Sequence, residues 1–272
     1  MTYSPVIPVT GYAGWAFLKR TITKQTETYV KSPEIKRDED YFRANIGKVT
    51  TAADLVKDRR LLKVALGAYG LEADLDNKAF IQKVLEGGTL TTGSLANRLA
   101  DKQYLKLSAA FGFGDFPTPS TKLSDFPDKI LNAYKAHGFE AAVGDADGDL
   151  RLALNAEREL AALATGTSSE DTKWYSILGN TALKQVFTKA LGLPSSISAI
   201  DLDQQLQVFK DKASDLFGDA TVSQFSDATK VETVIRRFLV RSQAESVAST
   251  IGQGAAALAM LQQTSANLRA NR

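Results

Sequence analysis

The densest group of side chains able to do chemistry is the run GDADGDL at 144–150, where Asp145, Asp147 and Asp149 alternate as the carboxylates of a calcium loop do. A calcium loop opening at Asp145 needs glycine at its sixth position and an acid at its twelfth. The chain has Leu150 and Ala156 there, with a glycine one residue early and Glu157 one residue late. The acids therefore read as a turn in which Asp147 or Asp149 caps the next helix and faces its positive end. His137 is the single histidine and cysteine is absent, so zinc sites, thiol nucleophiles and Ser-His triads lack their parts. Its place before Gly138 predicts a helix C-terminus, where a cation meets the dipole favourably.

Other groups are equally poor in chemistry. Gly112 and Gly114, and Gly252 and Gly254, neither follow a strand nor precede a lysine-serine pair, so no nucleotide loop is formed. Asp38, Glu39 and Asp40 read as a solvated helix face. The basic run Lys57, Arg59 and Arg60 is interrupted by Asp58, and Arg236, Arg237 and Arg241 are few. Neither makes the long stripe with stacking aromatics that nucleic acid requires, and both read as structural ion pairs. A net charge of +2 supplies no general attraction to polyanions. The expectation is a protein without enzymatic activity, cofactor, metal site or nucleic-acid partner.

The elements that position these residues are helical almost throughout, which predicts an all-α fold. Trp15, Leu18, Ile22, Gln25 and Tyr29 line one side of a helix over 12–31, ended by Ser32-Pro33. A second spans 34–46, and a third, capped by Thr50 or Thr51, carries Leu55, Leu62, Leu66 and Tyr69 to a stop at Gly70. Helices over 77–85 and 94–110 precede an ordered loop at 111–127, rich in proline and aromatics. Asp125 and Pro127 then open a helix over 127–137, and AVGDADGD loops into another over 150–163. Asp201 to Phe217 should bury Leu202, Leu206, Phe209, Ala213 and Leu216. Asp227 caps the last helix, with Val231, Val234, Ile235 and Phe238 inward.

Residues 165–172, TGTSSEDT, divide the chain into a helical half over 1–164 and another over 173–245, with a tail over 246–272. LLKVALGAYGL at 61–71 parallels LKQVFTKALGL at 183–193, and FGD recurs at 113–115 and 217–219. Either the second half is a shortened repeat of the first, or two helix pairs end alike because glycine stops helices well.

The tail has no charged residue from Ser246 to Leu268, a run of 23. Val247, Ile251, Gly254, Leu258, Leu261, Ser265 and Leu268 are spaced 4-3-4-3-4-3, the seam of one helix lying along another. Gln253, Gln262 and Gln263 make it a poor membrane span. The seam needs a cover, either the chain's own body or a protein partner or second copy. Pairing with the Trp15, Leu18 and Ile22 stripe of the first helix is the specific expectation. The N-terminal sequence lacks the pattern of a cleavable signal peptide.

Several segments carry a family likeness: GWAFLKRT at 14–21, ADLVKDRRLLKVAL at 53–66, FIQKVL at 80–85, ANRLADKQY at 96–104 and WYSILG at 174–179. They resemble a family of alphaproteobacterial proteins of unknown function associated with flagellar gene clusters. The resemblance implies a role in flagellar assembly or motility and carries no catalytic or ligand-binding residue with it. Together with the seam, it leads to the expectation of a flagellum-associated structural or assembly protein acting through helix–helix contacts. The alternative is a cytoplasmic export chaperone or regulatory protein that holds a partner's helix.

Overall fold

Helices α1 (Gly11–Val30) and α2 (Pro33–Asn45) meet at Ser32, where proline closes one helix and opens the next. The protein is described here by a computed structural model, covering the backbone of residues 3–270 and the side chains of residues 3–249. The short α3 (Ala52–Lys57) opens with a capping box, in which Thr51 and Asp54 each accept from the other's backbone N–H. The helix expected to continue to Tyr69 instead breaks at Asp58. Its carboxylate accepts from the N–H groups of Arg60 and Leu61 at 2.9 and 3.1 Å and so caps a new helix, α4 (Arg59–Gly67).

Next come α5 (Lys78–Glu86), the single turn α6 (Leu95–Arg98) and α7 (Gln103–Phe111). The one helix expected over 94–110 is thus two, separated where Leu99 turns extended. Gly112 (φ +67°) ends α7, and the proline-rich loop holds one 3-10 turn before α8 (Phe126–Ala146). Pro127 sits in the first turn of α8 as expected, although Asp125 gives no side-chain cap.

Helix α8 does not stop at His137. It passes through Gly138 and Gly144 to Ala146, and Asp147 alone separates it from α9 (Gly148–Thr165). The supposed AVGDADGD loop is therefore mostly helix. Both glycines mark close approach: a Cβ on Gly138 would sit 2.1 Å from Tyr29 Oη, and one on Gly144 would sit 2.5 Å from Arg151 Cδ. Asp147 caps α9 by accepting from the N–H groups of Asp149 and Leu150.

Ser169 caps α10 (Glu170–Gly179) and Asn180 caps α11 (Thr181–Leu191). Then follow α12 (Leu202–Phe217) and α13 (Ala228–Ala270), whose Val231, Val234, Ile235 and Phe238 are buried as expected. Leu202 and Leu216, expected in the core, are exposed, because α12 is covered mainly by α10 and α11 along its Leu206, Phe209 and Ala213 stripe. All described elements are helical, and no described helix is long and apolar enough to cross a membrane.

One hydrophobic cluster runs from Trp15 to Leu239 and continues across residues 165–172. Helix α9 is its axis, packed against α1, α8, α11 and α13. On one side α4 lies on α8, and on the other α11 lies on α13. The parallel segments of sequence fall in corresponding places. Gly70 (φ +71°) ends the turn after α4 and Gly192 (φ +73°) ends α11, each followed by a leucine N–H reaching back to the helix. Gly112 and Gly218 then precede a 3-10 turn and a long helix each time.

Replacing Gly138 tests the close approach. Alanine favours a helix by up to about 1 kcal/mol over glycine. Here, however, Tyr29 is wedged between Tyr3 and Phe139, with ring centroids at 5.3 and 6.0 Å, and cannot yield cheaply. Gly138→Ala should lower stability by about 1–3 kcal/mol in denaturant titration. In a Tyr29→Phe background, where the clashing oxygen is gone, the same change should be neutral or stabilising.

Candidate functional site

The two terminal helices do pair, along the buried part of α13. Glu232 accepts from Trp15 Nε1 at 3.1 and 3.0 Å and from Tyr12 Oη at 3.1 Å, and the Arg236 guanidinium lies 5.3 Å from the Tyr12 ring centre. Trp15 (1% exposed) and Leu18 (0%) face the chain's own core, so they are not open to a second molecule. Ile22 is half-buried beside Val30 on a shallow surface groove. The partner of this stripe is the 232–243 stretch of α13, upstream of the expected seam.

Of the seam, Val247 is described and is 54% exposed; Ile251, Gly254, Leu258, Leu261, Ser265 and Leu268 lie outside the described side chains. Counting backwards at the same spacing gives Ala244 and Val240, and both are exposed, Val240 at 50%. The opposite face of α13 carries Val234, Phe238, Leu239 and Ser242 inward. Ser242 is held in a polar relay, accepting from Lys189 Nζ at 2.9 Å and donating to the Asp149 carboxylate. The seam thus starts on the solvent side of the helix.

The arginines nearby differ from those of the first basic run. Arg59 pairs with Asp76, and Arg60 stacks 4.0 Å from the Tyr41 ring centre while donating to the Arg37 carbonyl. Arg236, Arg237 and Arg241 have no carboxylate partner among the described residues. Arg237 donates to the Ala190 carbonyl at 3.0 Å, and the Arg241 guanidinium packs beside Gly192. The ion-pair expectation therefore holds for the first group and fails for the second, which borders Val240 on an open surface.

The root of α13 is anchored by Glu170. Its carboxylate accepts from the Val222 and Ser223 N–H groups at 2.6 and 3.2 Å, from Ser223 Oγ, and from the buried Lys173 at 3.1 Å. Burial opposes ionisation of Glu170, yet the hydrogen bonds from Ser223 and Lys173 outweigh it and bring its pKa down to about 2.

A second feature is a cleft of about 580 Å³ between the α4 turn, α8, α9 and the α10–α11 junction. Tyr69, His137, Arg151 and Asn155 line it, and an adjoining cavity of about 250 Å³ shares Asp101, Gln103, Gly179 and Asn180. Its lining residue Glu140 belongs to a charged chain: Arg158 donates to Glu140 at 2.7 and 3.1 Å and to Glu159 at 2.6 Å, and Lys106 donates to Glu159 at 2.7 Å. His137 is mid-helix, not terminal. Burial, reinforced by Arg158, pushes its pKa down to about 4, so the ring is neutral at pH 7. The acids at 145–149 do not converge on a metal: Asp147 caps α9, Asp149 holds Ser242, and no cluster able to hold a metal ion occurs among the described residues. Sequence reasoning missed this cleft, since its four groups come from three separate elements.

A family model described as protein of unknown function (DUF1217) matches residues 68–231. The chain belongs to that family. The match takes in every residue lining the cleft and ends in the first turn of α13, ahead of the exposed seam. Among solved structures, a protein from Agrobacterium tumefaciens, determined by X-ray crystallography, is similar at 27% identity with a TM-score of 0.72. The similarity covers 89% of this chain and 98% of that one. No curated protein matches.

The Glu170 anchor gives a pH signature. A carboxyl whose folded pKa is about 2 stabilises the fold fully above its unfolded value, near 4.3, and loses that stabilisation as pH falls from there toward 2. Glu170→Gln should lower the melting temperature at pH 7 by about 2–4 °C, for roughly 1 kcal/mol lost. The difference from wild type should shrink in thermal melts between pH 4 and pH 2.

Proposed function

We propose that this chain is a non-enzymatic structural or assembly protein of the bacterial flagellum that works by laying its last helix against a helix of a partner protein. The observation that carries the helix-mediated reading is the pair Val240 and Val247, both exposed and both in register with an uncharged seam that continues to Leu268. An apolar stripe at 4-3 spacing on the outer face of a helix is stabilised only when another helix covers it.

The charge around the stripe favours an acidic partner over a second copy. From Thr233 to Arg272 the only charged residues are Arg236, Arg237, Arg241, Arg269 and Arg272 against Glu245, and Glu245 is engaged by Lys189 at 3.2 Å. A helix carrying carboxylates beside its apolar positions would complement both features. The flagellar setting is supported by the likeness of the segments at 53–66, 80–85 and 96–104 to proteins of flagellar gene clusters.

The test is deletion of the gene in its bacterial host, scored by swimming in soft agar and by counting filaments in electron micrographs. The deletion should abolish or strongly reduce swimming. Wild-type protein should restore it, whereas Val240→Asp with Val247→Asp, at equal cellular abundance, should not. Normal swimming with normal filaments in the deletion strain sinks the flagellar reading. Full rescue by the double variant sinks the seam as the contact. Fractionation separates the export-chaperone alternative, since a chaperone would stay wholly in the cytoplasm and an assembly component would co-purify with the flagellar base.

A further inference from the structure

The cleft beside His137 gathers polar groups that the fold leaves without hydrogen bonds. Among the described residues Tyr69 Oη, the Arg151 guanidinium and both His137 nitrogens have no hydrogen-bond partner, and His137 Nδ1 lies 3.9 Å from the Glu140 carboxylate. Asn155 Oδ1 is buried and unpaired, one of two such side-chain atoms among the described residues. A buried acceptor left unpaired is destabilising, by more than an ordinary hydrogen bond contributes, and calls for an explanation. The neighbouring charges, by contrast, are fully engaged: Arg158, Glu140, Glu159 and Lys106 satisfy one another. Gly70, at φ +71°, leaves the space beside His137 Nδ1 open, since a Cβ there would lie 3.5 Å from that nitrogen.

We propose that this cleft binds a small organic acid that also carries a hydroxyl or ammonium group. Its carboxylate meets Arg151, with Tyr69 and His137 as further donors, and its own donor meets Asn155 Oδ1. One arginine among neutral donors balances a single negative charge. A phosphate dianion fits less well, because Glu140 and Asp101 also line the cleft. The volume of about 580 Å³ falls in the range of small-molecule sites. The inference is independent of the helix-mediated assembly proposed above, since the cleft and the seam share no residue.

Binding has a built-in reporter. His137 is held neutral by burial and by Arg158, Arg151 and Lys106, with Glu159 opposing them, Glu140 on its own helix and uncharged Tyr69 across the cleft. An anion beside it favours the imidazolium, so the complex should take up a proton and affinity should rise as pH falls from neutrality toward about 4.

The experiment is an NMR titration of the sole histidine in the full chain with L-lactate, L-serine, acetate and inorganic phosphate. Lactate or serine should move the His137 ring signals saturably and raise its pKa, and acetate, lacking the second donor, should bind at least about tenfold more weakly. Arg151→Gln, at an exposed position and keeping the methylenes that pack on Gly144, should weaken binding at least about tenfold, with Arg151→Lys intermediate. No saturable shift with lactate or serine at millimolar concentration overturns the proposal. So does binding of phosphate alone, or binding unchanged in Arg151→Gln.

Discussion

Helix α9 is the constraint on which the other elements depend. It touches α1, α8, α11 and α13, and it carries charge into that crowded position. Glu140 and Glu159 are buried, and buried carboxylates persist only when paired and hydrogen-bonded. The Arg158 fork and Lys106 supply the pairing, so the observed packing of α7, α8 and α9 strands neither carboxylate. Burial keeps the chain's single imidazole neutral, with Arg158 and Lys106 of the same network adding to the effect and Glu159 opposing it. A structural ion network thereby sets the electrostatics of the cleft above it.

What sequence could tell was decided by how local each cause is. Apolar periodicity located nearly every helix, and Thr51, Pro127, Asp147 and Asp227 acted at helix starts because capping is settled within four residues. Gly70 and Gly192 stop their helices, as their glycine-leucine pattern indicates. Gly138 and Gly144 look the same in sequence but serve contact between helices, and that depends on Tyr29 and Arg151 arriving from elsewhere. Asp58 misled for a related reason: it lies inside an apolar repeat, yet its carboxylate competes for backbone N–H groups and restarts the helix. The cleft had no local signal at all, since Tyr69, His137, Arg151 and Asn155 belong to three elements and only the packing of α4 on α8 and of α8 on α9 unites them.

The molecule thus presents two surfaces of different origin. The cleft lies within the stretch matched by the family model, framed by the central helix and its neighbours. The seam lies beyond that stretch, on a helix that is buried from Val231 to Ser242 along one face and exposes Val240, Ala244 and Val247 along the other. Trp15 and Leu18, which resemble an interface stripe in sequence, serve to hold that first half in place. Their burial leaves the outer face of α13, with its arginines, as the part that meets other molecules in the proposed assembly.

The relay from Lys189 through Ser242 to Asp149 has a consequence for phase. Apolar packing at Val234, Phe238 and Leu239 resists removal from the core but is not directional, and such a face tolerates some axial rotation. A hydrogen-bonded serine does not, because its oxygen must meet one carboxylate and one ammonium group at once. Ser242 therefore fixes the angular setting of the described residues that follow it, among them Ala244 and Val247. Each residue turns a helix by about 100°, so one residue inserted after Ser242 would swing the uncharged stripe a quarter-turn or more around the axis, while seven would return it almost to its starting direction. In the proposed assembly the body would act as an index mark for the seam, so that spacing downstream of Ser242 would matter in multiples of the heptad.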